Sequence, residues 1–309
     1  MSPRPVGSGP RGGGGLRAGA WLEKGEAFLA ERKVPEARAN AEFILAHVLS
    51  CGRAAAKAVP ERVLDGRQAH HFWNLVKARG RRVPLAYVLG SQPFCGLDIL
   101  VDPRVLVPRP ETEELVGLVV EAARGAPAHI LEVGTGSGCI AVALARALPS
   151  ATVYASEISD DALRLAAENA RRHQVEGRIR FLREDLFRPG RSSVTSFRDG
   201  SPSVAGPWAD ILVSNPPYIP SADLRDLEPE VLAEPHLALD GGPDGLDAVR
   251  AIVEEAPGRL KSGGLLALEI GAGQARAVRD ILSGWEGLEV RRDLQGVERF
   301  ALARRPMGK

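Results

Sequence analysis

The chain has 309 residues, with 40 Lys and Arg against 39 Asp and Glu and a formal net charge of +1, a balance that speaks against a protein held mainly by a nucleic-acid backbone or an anionic membrane. At about 150 residues per domain the length suits two domains, and the 44% hydrophobic content supplies a core but no run near the ~18 apolar residues of a membrane span. The three cysteines, Cys51, Cys95 and Cys139, lie far apart without CxxC spacing, which argues against a disulfide framework or a zinc site and for a reducing, cytoplasmic compartment.

Residues 1–20 hold seven Gly and three Pro and almost no large apolar side chain. Such a stretch cannot offset its ordering entropy, so 1–19 reads as a disordered tail whose removal, up to residue 20, should be silent. From 20 to 90 the pattern is helical. Ala41, Ile44, Leu45, Val48 and Leu49 form one apolar stripe, and a later helix after Pro60 turns Leu64, Phe72, Leu75 and Val76 inward. This segment reads as a small helical bundle.

Residues 91–109 change period. Phe94, Leu97, Ile99, Val101, Val105 and Val107 mostly alternate, which predicts a β-hairpin linker turning at Asp102-Pro103. Pro108-Arg109-Pro110-Glu111 then opens a helix, with proline in the first turn and acids at the positive end of the dipole. From 110 to 309 strands and helices alternate. Strands are expected at 129–133, 152–155, 178–182, 209–214, 264–270, 288–291 and 299–303, with helices at 139–148, 160–173, 246–260 and 274–282. The rhythm predicts an α/β fold with a mainly parallel, Rossmann-like sheet. The stretch 189–207, rich in Ser, Gly and Pro, reads as a loop insertion.

The strand at 129–133 runs into Gly134-Thr135-Gly136-Ser137-Gly138 and then a helix. Glycines there allow positive φ and close backbone approach, and the helix start offers free N–H groups, so the turn suits a nucleotide-type cofactor. The spacing is G-x-G-x-G rather than the dinucleotide G-x-G-x-x-G. Read alone, a glycine-rich loop is a weak signal, with a mere tight turn as the lesser reading. Glu157 ends the next strand 23 residues after Gly134, where a carboxylate can hold a ribose hydroxyl pair. Asp185 follows the third strand and can accept from an exocyclic adenine amine, with Leu186 packing on the ring. Both acids also read as ordinary strand-end residues.

Asn215-Pro216-Pro217-Tyr218 leaves the fourth strand. A planar amide or arylamine nitrogen is a poor nucleophile because its lone pair is delocalised. It needs acceptors that grip its N–H groups and aim the lone pair. The Asn215 side-chain oxygen is one acceptor, the Pro216 carbonyl a second with its direction fixed by the ring, and Tyr218 offers a stacking face. An isolated Asn-Pro-Pro would be a turn. The position behind a glycine-rich turn favours chemistry.

These residues resemble those of class I methyltransferases that use S-adenosylmethionine, and Asn-Pro-Pro-Tyr looks like the signature of members acting on planar nitrogens. Leu106 to Glu113, the Leu131 to Gly138 turn and Val213 to Pro220 are similar to the HemK-type protein-glutamine methyltransferases, as are Pro84 to Gly90 and the late Arg299-Phe300 strand. The likeness covers roughly Trp21 to Arg304, outside which lie the tail and, within it, the 189–207 insertion. Glu157 departs from the Asp commoner in that family.

The resemblance implies a seven-stranded sheet whose last strand is antiparallel, joined by a hairpin to an N-terminal helical domain that recognises substrate. It implies methyl transfer, without a metal, from S-adenosylmethionine to the glutamine of the Gly-Gly-Gln motif in peptide-chain release factors. The catalytic residues would be Asn215, Pro216 and Tyr218. The cofactor would sit on Gly134, Thr135, Gly136, Ser137, Gly138, Glu157, Asp185, Leu186 and Asn215. Substrate would meet Asn215, Pro216, Pro217 and Tyr218, with Arg109 and Glu111 either touching it or merely starting their helix. The alternatives are an adenine or guanine amino-methyltransferase, a ribosomal-protein glutamine methyltransferase and a non-catalytic cofactor-binding module. The Arg-Pro-Glu-Thr-Glu run favours the release-factor branch.

Overall fold

The computed structural model describes residues 16–123, 128–185 and 206–307. The chain divides into two units after Leu89. The first contains helices Ala18–Glu31, Ala37–Val48, Arg53–Lys57, Gly66–Arg79 and Leu85–Leu89. Ile44, Leu45, Phe72 and Val76 are fully buried in its core with Leu22 and Leu29, and the ring of Trp21 meets Phe72 edge-on at 5.9 Å between centroids. Asp65 starts the fourth helix through a capping box. Its carboxylate accepts from the Gln68 backbone at 2.8 Å, and its own N–H donates to the Gln68 side chain at 3.2 Å.

The first helix starts at Ala18, ahead of the boundary expected from composition. Ala18 is fully buried. Its N–H donates to the Arg62 carbonyl at 2.7 Å, and that of Gly19 to Pro60 at 2.9 Å. Glycine content hid these contacts, because the helix start is held by a partner forty residues downstream in sequence rather than by local propensity. The expectation that loss of residues 1–20 is silent is therefore corrected.

The second unit opens with a hairpin of β1 (Ser91–Phe94) and β2 (Leu97–Leu100), paired antiparallel from Ser91↔Leu100 to Phe94↔Leu97. Its turn is Cys95-Gly96, not Asp102-Pro103. Both turn residues have positive φ, 48° and 73°, the primed geometry whose twist matches that of the flanking strands. Asp102 instead shapes the next turn, where its carboxylate accepts from the Arg104 backbone at 3.0 Å. Buried Asn169 holds the hairpin: its side-chain oxygen accepts from the Leu100 N–H at 2.8 Å, and its amide nitrogen donates to the carbonyls of Leu100 and Ser137 at 3.0 and 2.9 Å.

Seven further strands make one sheet: β3 (His129–Val133), β4 (Thr152–Glu157), β5 (Ile179–Arg183), β6 (Ala209–Ser214), β7 (Leu260–Glu269), β8 (Glu286–Arg292) and β9 (Glu298–Arg304), in the order β5-β4-β3-β6-β7-β9-β8. The pairs from β5 through β7 are parallel, and β9 is antiparallel to both its neighbours. Helices Pro110–Ala122, Cys139–Ala147, Asp160–Arg172, Asp247–Arg259 and Ala275–Ile281 connect the strands. Buried Leu131, Leu212, Leu266 and Leu268 pack with Val249, Ile252 and Val278 from these helices. Runs such as Leu265–Leu268 are apolar throughout, as a sheet covered on both faces requires. The expected insertion at 189–207 lies, up to residue 205, outside the described residues. Among those that are described, no helix is long and apolar enough to cross a membrane.

Deleting residues 1–20 removes the Ala18 and Gly19 backbone bonds and a buried alanine, and lowers stability by about 2 kcal/mol. Urea unfolding followed by tryptophan fluorescence checks this, and a midpoint equal to that of the full chain contradicts it.

Candidate active site

β3 and β6 are neighbours in parallel register, Val133 opposite Ser214. The glycine turn and Asn215 therefore leave the same sheet edge side by side. Open α/β sheets bind ligands in the crevice beyond such carboxyl ends, where the strand order reverses. Here the order runs outward from β3 in one direction through β4 and β5, and in the other through β6 and β7.

The turn is tied to β4 by the N–H groups of Gly134 and Thr135, which both donate to the Ser156 carbonyl at 3.0 and 2.9 Å. Gly136 and Gly138 have φ of +53° and +79°. Their reasons for being glycine differ. A Cβ on Gly138 would lie 3.0 Å from the Ala166 Cβ and 3.1 Å from its Cα, so this glycine lets a helix pack close. A Cβ on Gly136 would meet no atom within 4 Å, and it faces a cavity.

That cavity measures about 310 Å³, at the lower end of small-molecule sites. Gly134, Gly136, Glu157, Asn215 and Pro217 line it. Two walls were not foreseen from the sequence, Arg104–Leu106 and Pro235–Ala238. Glu157 closes the turn from β4: one carboxylate oxygen accepts from the N–H groups of Ile158 and Ser159 at 2.8 and 3.0 Å, the other from Gly136 at 3.0 Å. A carboxylate has about four lone-pair sites, so capacity remains on the cavity side.

Thr135 and Ser137 are buried and absent from the cavity wall. The Thr135 hydroxyl donates to Glu132 at 2.7 Å. Glu184 lines the cavity, whereas Asp185, next along, does not. Burial pushes the Glu184 carboxyl up, partly offset by Arg259. Leu186 lies outside the described residues. Cys139 is buried, and burial pushes its thiol up to about 12, so it stays protonated.

A second, smaller cavity of about 70 Å³ adjoins Asn215 on another side and is lined also by Leu106, Arg109, Pro216, Tyr218 and Val231. Each water needs roughly 10–15 Å³ of such space, so it can admit a small planar head. Asn-Pro-Pro-Tyr thus alternates, with Pro217 on the large cavity, Pro216 and Tyr218 on the small one, and Asn215 on both. The Asn215 amide nitrogen donates to the Thr112 hydroxyl at 3.0 Å, which donates to buried Glu269 at 2.8 Å. Tyr218 is held by Gln274, whose amide nitrogen donates to the Tyr218 and Gly245 carbonyls at 3.0 and 3.1 Å.

Arg109 reaches the small cavity but is also paired with buried Glu234, which accepts from the Val107 N–H at 2.8 Å as well. Glu111 lies in the first turn of its helix and on neither cavity wall. Thr112, Glu269 and Glu234 were missed from the sequence. Thr112 stood inside a run already explained by helix initiation, Glu269 is a lone acid ending an apolar strand, and Glu234 carries no local signal. Among the described residues no group of three or more His, Cys, Asp or Glu is placed to hold a metal ion.

The residues present suit S-adenosylmethionine: an open glycine cradle at Gly136, a carboxylate with a lone-pair site left over at Glu157, and an adjoining slot at Asn215. Fold and site together define a class I methyltransferase. Residues 20–90 match the family described as PrmC N-terminal domain, and residues 130–199 match a methyltransferase domain. The chain is 42% identical over 277 residues to the release factor glutamine methyltransferase of Geobacter sulfurreducens, covering 88% of this chain and 91% of that protein. It is 42% identical to that of Moorella thermoacetica, covering 90% and 94%, and 38% identical to that of Rhodospirillum rubrum, covering 97% and 91%. Among solved structures, the hMettl16 catalytic domain in complex with a 3′UTR hairpin shares the fold, with a TM-score of 0.53, 16% identity and coverage of 76% of this chain and 83% of that one. The chain belongs to the release factor glutamine methyltransferase family.

Gly136→Ala keeps most of its stability, losing about 1–2 kcal/mol from the left-handed backbone alone, yet weakens cofactor binding at least about tenfold by filling the cradle. Gly138→Ala adds a clash with the Ala166 backbone and loses more stability. Calorimetric titration and melting curves separate the two, and equal effects on both would contradict the division.

Burial pushes the Glu132 carboxyl up to about 8, against a partial offset from the Thr135 hydroxyl. Between the ordinary value of 4.5 and about 8 the folded chain holds more protons than the unfolded one. Rising pH therefore costs stability, at up to about 1.4 kcal/mol per pH unit from this group. Glu132→Gln should melt higher than the parent at pH 8 and level with it near pH 5; a gap of the same size at both values would exclude this origin.

Proposed function

We propose that the protein transfers a methyl group from S-adenosylmethionine to the side-chain amide nitrogen of the glutamine in the Gly-Gly-Gln motif of peptide-chain release factors. The observation that carries the reading is the placement of Asn215 on both cavities at once, with Pro216 and Tyr218 facing the smaller one. One side has the glycine cradle and Glu157. The other has a small slot with an acceptor oxygen, a rigid carbonyl and an aromatic ring. Family membership supports the release factor as substrate, and the near-neutral charge of +1 fits a protein substrate better than a nucleic-acid backbone.

Glu157 would hold the ribose hydroxyls, and the backbone from Gly134 to Gly136 would admit the rest of the cofactor. When bound, S-adenosylmethionine would supply a methyl carbon on a cationic sulfur: the C–S bond would break as the C–N bond forms, the sulfur would leave as a neutral thioether, and one of the two amide protons would pass to solvent. The amide must meet that carbon along its lone pair, and the chain's work is to aim it. Asn215 Oδ1 and the Pro216 carbonyl accept the two amide N–H groups, and this orients the nitrogen and raises its electron density. Tyr218 stacks on the amide plane. Burial pushes its hydroxyl up to about 12, further raised by Glu269, so the ring stays neutral and acts by contact rather than as a base. Orientation of this kind is worth several kcal/mol, on the order of a quarter to a half of a typical enzymatic barrier reduction. Arg109 shapes the slot while paired with Glu234.

Mass spectrometry of a release factor co-expressed with this protein tests the reading: one methyl is expected on the Gly-Gly-Gln glutamine. Label from the methyl donor found only in nucleic acid would overturn it. Asn215→Ala abolishes transfer while leaving cofactor affinity within about tenfold, because its main contact is with the substrate amide. Retained turnover by that variant contradicts the assigned role.

A further inference from the structure

The direction of the Asn215 carboxamide decides whether the slot works. With its oxygen toward the slot it accepts a substrate N–H. With its NH2 group there it faces another donor. The two faces of a carboxamide have the same shape, so only hydrogen bonding distinguishes them.

Thr112 sits on the first turn of the helix Pro110–Ala122 and is buried. Its hydroxyl carries one proton. That proton goes to Glu269 at 2.8 Å, since a carboxylate only accepts. The face of the hydroxyl left for Asn215 then has lone pairs alone and can only accept. Asn215 answers with its NH2 group at 3.0 Å. Its oxygen, on the other side of the planar amide, is thereby committed to the cavities.

We propose that Glu269 and Thr112 are positioning residues for methyl transfer, a one-way hydrogen-bond chain that holds the Asn215 oxygen toward the substrate amide. The proposal rests on the reading of Asn215 as the amide acceptor. The three residues come from three elements: Glu269 ends β7, Thr112 belongs to the helix after the hairpin, and Asn215 follows β6. Their meeting is a tertiary arrangement rather than a consequence of local chain geometry. Asn215 lines both cavities, while Thr112 and Glu269 are buried off their walls.

The chain also depends on the charge of Glu269. As a neutral acid, Glu269 can donate to Thr112, which frees the Thr112 proton to point at Asn215 and favours the reversed amide. The charged and titratable groups around Glu269 are Arg299 on β9, Arg109 and Glu111 at the helix start, and Tyr218 beyond β6. Burial raises the Glu269 carboxyl to about 7, against offsets from the Thr112 bond and Arg299. Turnover therefore falls as pH drops below neutrality, while the cofactor's contacts with Glu157 and the glycine turn do not involve this group.

The test uses the full-length protein with a release factor as substrate. Thr112→Val keeps the shape without the hydroxyl. It lowers kcat at least tenfold, leaves the cofactor Kd within threefold and flattens the acid limb of the kcat profile. Thr112→Ser restores kcat to within threefold of the parent and restores the limb. Glu269→Gln removes the limb and adds little to the loss already caused by Thr112→Val. Melting curves show whether each variant is folded. In protein labelled with 15N at asparagine, the Asn215 side-chain amide protons exchange slowly in the parent and in Thr112→Ser, and rapidly in Thr112→Val. A Thr112→Val protein with kcat within twofold of the parent, an equal loss in the Ser variant, or fast exchange in the parent overturns the proposal. Absence of methyl transfer by the parent overturns the functional reading instead, and the amide exchange still judges the chain on its own.

Discussion

The adjacency of β3 and β6 governs this molecule. Val133 and Ser214 are 81 residues apart and directly paired, so a glycine turn and an Asn-Pro-Pro-Tyr segment emerge together from one sheet edge. The pairing is reinforced at its last rung, where the Ser214 hydroxyl donates to the Val133 carbonyl at 2.7 Å. A one-residue slip in register would turn alternate side chains to the opposite face and separate the two segments. The cavities are a consequence of that register.

Around this edge the protein buries more acidic side chains than a core usually holds. Glu132, Glu234 and Glu269 are each at most 5% exposed. Two of them organise chemistry-bearing segments, Glu269 through Thr112 and Glu234 through Val107 and Arg109. Buried carboxylates are costly unless hydrogen-bonded. Glu269 and Glu234 are tolerated here because each bonds a group whose direction matters. Stability is traded for orientation, as is common where a site must be held before substrate arrives.

Much of this was legible in the sequence, for identifiable reasons. β3 and β6 were placed to the residue because each is an apolar run ended by Gly134 or by Asn215-Pro216. The helix at 110 announced itself through Pro110 and the acids after it. The glycine turn and Asn-Pro-Pro-Tyr were legible as segments because glycine opens backbone regions closed to other residues and proline fixes φ. What was not legible depended on partners distant in the chain. The hairpin turned at Cys95-Gly96 because a positive-φ pair fits its twist, a signal weaker in sequence than Asp102-Pro103. Ala18 looked like part of a glycine-rich tail until its hydrogen bond to Arg62 was seen. Thr112 and Glu269 are ordinary residues in their own segments, and their meeting is set by the fold.

The Glu234 carboxylate joins two stretches that border the larger cavity. It accepts from Val107 and pairs with Arg109 on one stretch, and stands next to Pro235–Ala238 on the other. Both rims are thus fastened to a single buried anchor. An engineer reshaping the larger cavity has freedom at Leu237, which is exposed on its wall, and none at this acid, since releasing it would unfasten both rims together.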